Sequence, residues 1–175
     1  MQLNTVILMS IQNKSICVLF VCMGNICRSP TGEGVFRHYV REAGHDHRIH
    51  IESAGILSYH AGDPADSRMR AAASRRGYVL DSIARQITPA DVREYDLIIP
   101  MDHDNLDHLE RMAGGPSAHI RLLGSFINDV ADNQLAAPVP DPYYGSGQGF
   151  ETVLDMIESA CPAMLDHCLA LLQEK

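Results

Sequence analysis

Three observations predict an α/β fold with a mostly parallel sheet. Apolar, β-prone runs alternate with helical patterns in the order β-α-β-α-β-α-β-α, the signature of strands joined by helical crossovers. The run Leu97-Ile98-Ile99-Pro100-Met101 is continuously apolar, as suits a strand covered on both faces. The chain has 175 residues, 46% apolar and 21% charged, enough for about one domain with a sizeable core. The expectation is a single-domain parallel four-stranded sheet with helices on both faces.

The elements follow in order. Ile16–Val21 reads as strand one, and a helix runs from Thr31 through Arg41 to end near Gly44. Ile49-His50-Ile51-Glu52 alternates and reads as strand two. Asp63-Pro64 opens a helix through Met69, Ala72 and Arg76 that Gly77 closes, and Thr88-Pro89 opens a shorter one through Glu94. Leu97–Met101 is strand three, Asn105–Met112 a helix ending at Gly114-Gly115, and Ile120–Leu123 a short strand four. In the last helix Val153, Ile157, Cys161, Leu165, Cys168 and Leu172 recur at steps of three and four, a core-facing stripe. Pro162 inside that stripe predicts a kink or a local break. No repeat or linker divides residues 16–175. Residues 1–15 form an N-terminal extension: an arm, an extra strand or a misassigned start. Its apolar stretch, Leu3 to Met9, is too short to span a membrane and lacks the basic region of a signal peptide.

A formal charge of −8 argues against a broad nucleic-acid or anionic-membrane surface. The five cysteines do not form a secreted-type framework. Cys17, Cys161 and Cys168 fall on apolar elements and read as buried small hydrophobes, which fits a reducing, cytoplasmic setting. A monomer is the expectation, since no apolar stripe is left outside the core.

The stretch Cys22-Met23-Gly24-Asn25-Ile26-Cys27-Arg28-Ser29-Pro30 joins strand one to the first helix. A cysteine and an arginine six positions apart on such a loop can wrap one tetrahedral oxyanion. Backbone N–H groups, the positive end of the helix and the planar fork of Arg28 supply the donors. The same field stabilises a thiolate at Cys22. Gly24 permits close backbone approach and unusual φ, Asn25 tolerates the left-handed conformation, and Ser29-Pro30 suits an N-cap and first turn. Ligands of such folds bind beyond the carboxyl ends of the strands, where this phosphate-binding loop lies. The bare Cys-x5-Arg spacing is common, and a buried Cys22 with a surface Arg28 bonding a carboxylate also satisfies it.

This stretch resembles the signature of the low-molecular-weight protein tyrosine phosphatases. Further matches follow in order: Glu52-Ser53-Ala54-Gly55, Ala84-Arg85-Gln86-Ile87-Thr88, Met101-Asp102 with Asn105, and Val139-Pro140-Asp141-Pro142-Tyr143-Tyr144-Gly145. The resemblance implies a phosphotyrosine hydrolase that needs no metal and no cofactor and acts on a tyrosine-phosphorylated protein. Cys22 would form a cysteinyl-phosphate. Arg28 and the loop amides would hold the equatorial oxygens, and Ser29 would donate its hydroxyl to Cys22. Asn25 would lock the loop, with Ser53 as a partner. Asp141 would be the general acid and base, although Asp141-Pro142 by itself is an ordinary turn. Met23, Ile26, Tyr59, Tyr143 and Tyr144 would wall a slot for the phosphotyrosine ring. Related arginine phosphatases carry threonine where Ile26 stands, and relatives often carry histidine where Ser82 stands. The family's redox chemistry implies a disulfide between Cys22 and a resolving Cys27. Asp102 reads as a structural hydrogen-bonding residue.

Two groups rich in ligand-type side chains read as solvated surface: His45, His47 and His50, and Asp102, His103, Asp104, Asp107 and His108. A thiol-dependent arsenate reductase on the same fold is the nearest alternative, but its relay needs further cysteines, and residues 79–88 hold none. The alternative of another class is a phosphoprotein-binding module without turnover.

Overall fold

The computed structural model describes residues 14–127, 132–145 and 147–175. The N-terminal extension therefore lies, except for Lys14 and Ser15, outside the described residues. Three strands, β1 (Ile16–Cys22), β2 (Ile49–Gly55) and β3 (Leu97–Pro100), form a parallel sheet in the order β2-β1-β3. Five helices accompany them among the described residues: α1 (Arg28–Glu42), α2 (Ser67–Arg75), α3 (Pro89–Glu94), α4 (His103–Ala113) and α5 (Gly147–Glu174).

Period-two alternation along β1 sends its side chains to two cores. Val18 and Phe20 join Val35, Phe36 and Val40 of α1, Met69 of α2 and Val153, Ile157 and Cys161 of α5. Leu19 and Val21 join Val92 of α3 and Leu106 and Leu109 of α4. Helices thus cover both faces, and β1, flanked on both edges, is wholly shielded apart from Cys17. Phe20 is fully buried, its ring edge-on to that of Phe36 at 6.0 Å. A side chain of that size contributes about 1.5–3 kcal/mol by leaving water.

The expected fourth strand is not formed. Ile120 makes a single parallel bridge to Ile98, and Leu123–Phe126 is a 3-10 helix. The backbone turns into that 3-10 helix soon after the bridge; on the outer edge, away from β3, Asn133 Nδ2 donates to Ile120 O at 3.0 Å, and Leu122 N–H donates to Asn133 Oδ1 at 2.9 Å. The amide of Asn133 satisfies the groups that an adjoining strand would otherwise pair.

Helix boundaries shift in the same physical way. Asp66, not Asp63, caps α2, accepting from the N–H groups of Arg68 and Met69. Thr88 and Asp91 close a capping box on α3, as Thr88-Pro89 led one to expect. α5 runs through Pro162 without a break; Pro162 lies on the exposed side, away from the packed stripe. Leu165 of that stripe is only partly buried.

Candidate active site

β1, the central strand, delivers Cys22 to the carboxyl edge of the sheet, and α1 begins six residues later. Pairing with β2 continues into the loop, since Ile56 N–H donates to Cys22 O and Leu57 N–H to Met23 O, both at 2.9 Å. The loop's left-handed residue is Asn25, at φ 56°, and Gly24 stays out of that region. Glycine at 24 serves close approach instead: a Cβ there would sit 3.2 Å from His60 Cδ2. Gly55 works likewise, for a Cβ on it would lie 3.1 Å from the Asn25 nitrogen. The helix starts earlier than expected, with Cys27 rather than Ser29 at the cap position. Ser29 therefore stands in the first turn and turns its hydroxyl to Cys22 Sγ, 3.0 Å away. Cys27 gives α1 no side-chain cap, so first-turn N–H groups can serve an external anion.

Asn25 ties the loop to three elements. Its Nδ2 donates to Ser29 Oγ and to Ser53 Oγ, both at 2.9 Å, while its Oδ1 accepts from Arg85 N–H at 2.9 Å. Its own N–H points at Cys22 Sγ, 3.3 Å away. Ser53 in turn donates to Glu33 Oε2 at 2.6 Å. Glu33 is buried, and burial raises its affinity for a proton; hydrogen bonds from Ser53 and Ser82 and the charge of Arg37 act against this. Ser82 thus supports the loop through Glu33 and Ser53, two residues removed from Asn25.

Arg28 is 3% exposed. Its Nη1 donates to Asp102 Oδ2 at 2.5 Å and to Val139 O at 3.1 Å, and its Nη2 to Asp141 Oδ2 at 3.3 Å. Burial alone would weaken its hold on the proton; the Cys22 sulfur, Asp102 and Asp141 outweigh this and hold it above the ordinary arginine value. The two carboxylates differ. Asp102 is bound at both oxygens, its Oδ1 capping α4 through Asn105 N–H at 2.8 Å. Asp141 is half exposed and lines a cleft of about 250 Å³. Cys22, Arg28 and the loop form the floor of that cleft, and Leu57, Tyr59, His60, Tyr143 and Tyr144 form its walls.

Residues 17–175 match the family model described as low molecular weight phosphotyrosine protein phosphatase. The chain belongs to this family. It is 43% identical over 150 residues to the low molecular weight protein-tyrosine-phosphatase of Streptomyces coelicolor, covering 85% of this chain and 90% of the relative. It is 40% identical over 152 residues to the low molecular weight phosphotyrosine protein phosphatase of Homo sapiens, covering 85% and 93%. The crystal structure of YfkJ from Bacillus subtilis superposes with a TM-score of 0.80 at 38% identity, over 93% of this chain and 98% of that one.

In this member of the family the structure brings together every residue read from the sequence as belonging to the site. Cys22, Met23, Gly24, Ile26, Cys27, Arg28, Tyr59, Asp141, Tyr143 and Tyr144 all line the cleft. Asn25, Ser29 and Ser53 stand behind it. Leu57 and His60 were missed. His60 Nδ1 lies 3.2 Å from Asp63 Oδ2, and its ring meets Tyr59 at 4.9 Å and Tyr143 at 6.5 Å. β2 ends at Gly55, which places residues 57–60 at the sheet's carboxyl edge, and that position was the available signal. Cys27 is buried, and burial, with the charge of Asp66 second, pushes its thiol up to about 12. Among the described residues, no three His, Cys, Asp or Glu side chains gather as metal ligands. Among them, too, no helix is long and apolar enough to cross a membrane.

Proposed function

We propose that the chain hydrolyses phosphotyrosine in proteins by double displacement, with Cys22 as nucleophile and Asp141 as general acid and then base. The observation that carries this reading is one buried sulfur facing a hydroxyl, a backbone N–H and a guanidinium, with a solvent-facing carboxylate across the same cleft. Cys22 Sγ attacks phosphorus in line, the P–O bond to tyrosine breaks, and Asp141 gives its proton to the departing oxygen. Water then attacks the cysteinyl-phosphate while Asp141 takes its proton. The P–S bond breaks, and the Ser29 hydroxyl donates to the leaving sulfur. Arg28 and the loop amides hold the three equatorial oxygens throughout. A phosphoryl oxygen competes with Asp141 for Arg28 Nη2, so binding itself frees the acid to face the leaving group.

Substrate choice follows from depth and walls. The apolar and aromatic sides suit a planar ring, and the buried floor suits a phosphate carried on a long side chain, which disfavours phosphoserine. Ile26, in the loop that lines the cleft, favours the tyrosyl ester over phosphoarginine. Arsenate reduction is disfavoured because Cys161 and Cys168 are fully buried in α5. Cys17, five residues from Cys22 on an extended strand, is roughly 16 Å away. We further propose a monomer acting in the reducing cytoplasm, with residues 16–175 as the catalytic domain.

The test is hydrolysis of phosphotyrosine, phosphoserine and phosphoarginine peptides in chelator, alongside Cys22→Ser and Asp141→Ala. Phosphotyrosine turnover is expected to vanish in Cys22→Ser and to fall about 10²- to 10⁴-fold in Asp141→Ala. Tight phosphopeptide binding without any turnover in the wild type would make the chain a binding module instead. A preference for phosphoarginine would remove the argument from Ile26.

A further inference from the structure

Arg68, in the first turn of α2, lies outside the lining of the cleft yet joins its two sides. Its Nε and Nη2 donate to Asp66 Oδ1 and Oδ2 at 3.1 and 2.8 Å, a two-point contact. Asp66 is fixed to the phosphate-binding loop, because its own N–H donates to Ile26 O at 2.8 Å. Arg68 Nη2 also donates to Tyr143 O at 3.3 Å. The guanidinium carbon sits 5.6 Å from the centre of the Tyr143 ring and 5.0 Å from that of Phe150, in the first turn of α5. Tyr143 N–H donates to Asp141 Oδ1 at 3.1 Å. A continuous path therefore runs from Ile26 through Asp66, Arg68 and Tyr143 to one oxygen of Asp141, leaving the other oxygen toward Arg28.

We propose that Arg68 is a positioning residue for Asp141, holding the Tyr143 peptide so that the carboxylate is aimed across the phosphate-binding loop at the leaving oxygen. This rests on the reading of Asp141 as the general acid. Arg68 touches neither the nucleophile nor Arg28, so attack on phosphorus does not depend on it. What depends on it is the placement of one carboxylate, and a shift of about 1 Å in a reacting group can cost as much as 10²-fold. Its effect is therefore selective: it grows with the basicity of the leaving oxygen, since only a basic leaving group needs the proton.

The experiment compares kcat/KM, which reports the steps up to cleavage of the first P–O bond, for phosphotyrosine and for 2,4-dinitrophenyl phosphate. Four proteins are needed: wild type, Arg68→Ala, Asp141→Asn and the double variant. Arg68→Ala is expected to slow phosphotyrosine about tenfold and dinitrophenyl phosphate less than about twofold. In the Asp141→Asn background it should add nothing, the non-additivity of residues acting through one another. Arg68→Gln, which keeps the stem and an amide donor, takes the place of the alanine variant if thermal melting shows that one unfolded. Equal losses on both esters, or a full independent loss in the double variant, would overturn the proposal. If Asp141→Asn alone leaves phosphotyrosine turnover intact, the acid assignment fails first and the role of Arg68 falls with it.

Discussion

Asn25 combines two demands that substitutions can separate. It holds a left-handed backbone at φ 56°, and its buried side chain makes three hydrogen bonds, each at 2.9 Å. Asn25→Gly meets the backbone demand and loses the bonds. Three bonds at about 0.5–1.5 kcal/mol each give a loss of about 1.5–4.5 kcal/mol. The Arg85 N–H left without its acceptor pushes the value toward the upper end. Asn25→Ala loses the same bonds and adds about 1–2 kcal/mol for a Cβ in the left-handed region. Glycine's freer unfolded chain offsets about 0.5–1 kcal/mol of that difference. Alanine should therefore be the less stable variant by about 1 kcal/mol, and both should lose phosphatase activity as the loop loosens. Urea titration with a constant slope reads the difference directly from the midpoints. A glycine variant as unstable as alanine would refute the role given to backbone conformation. An alanine variant within about 0.5 kcal/mol of wild type, the range of an ordinary surface change, would refute the network as a source of stability.

Two further outcomes follow from buried titratable groups. If Cys27 resolves a Cys22 sulfenic acid by condensing with it and expelling water, dithiothreitol should restore peroxide-treated wild type and recover Cys27→Ser poorly. Because the Cys27 thiol is pushed up to about 12, disulfide closure should quicken with pH, and a flat profile would count against this route. Burial raises the proton affinity of Glu33 in the folded state, so the folded protein binds the extra proton and stability is lost as pH rises from about 4.3 toward the folded value. Glu33→Gln should remove that loss, so wild type minus variant stability should decline with pH across that window; a constant difference would show that Glu33 does not titrate there.

Much of the site was legible because its chemistry is local in the chain. Cys22 to Ser29 lie in one strand–loop–helix unit, and its residue types suggest the jobs proposed for them: a nucleophile, a left-handed asparagine, a fork, a hydroxyl. What could not be read were pairings made by side chains distant in sequence. Asn133 bonds the outer edge of residues 120–122 from 11 and 13 residues away, a pairing that carries no periodic signal. Ser29 looked like a helix cap because its residue type suits that position, yet the helix starts two residues earlier and the hydroxyl goes to the sulfur. His60 was invisible for another reason. Its place in the cleft depends on Gly24 giving it room and on Asp63 and Tyr143 meeting its ring, contacts that only the assembled loops create.

The site also shows why a net charge of −8 is compatible with binding an anion. Charges beyond a Debye length of about 8 Å are largely screened, so the field at Cys22 is set by its neighbours. The decisive neighbour is one buried guanidinium with two carboxylates of unequal hold. Asp102 is three-quarters shielded, close to Arg28 and bound at both oxygens. Removing it would strand a buried cation, which is costly. Asp141 is half exposed at 3.3 Å, and solvent screening leaves such a pair worth about 0–1 kcal/mol at most. A phosphoryl dianion reaching Arg28 therefore displaces Asp141 and not Asp102. On the proposed mechanism, the weak pair is the one whose carboxylate must move to the leaving oxygen, and the strong pair is the one that must keep the guanidinium in place. Reversing the two strengths would give a site that binds phosphate equally well and protonates nothing.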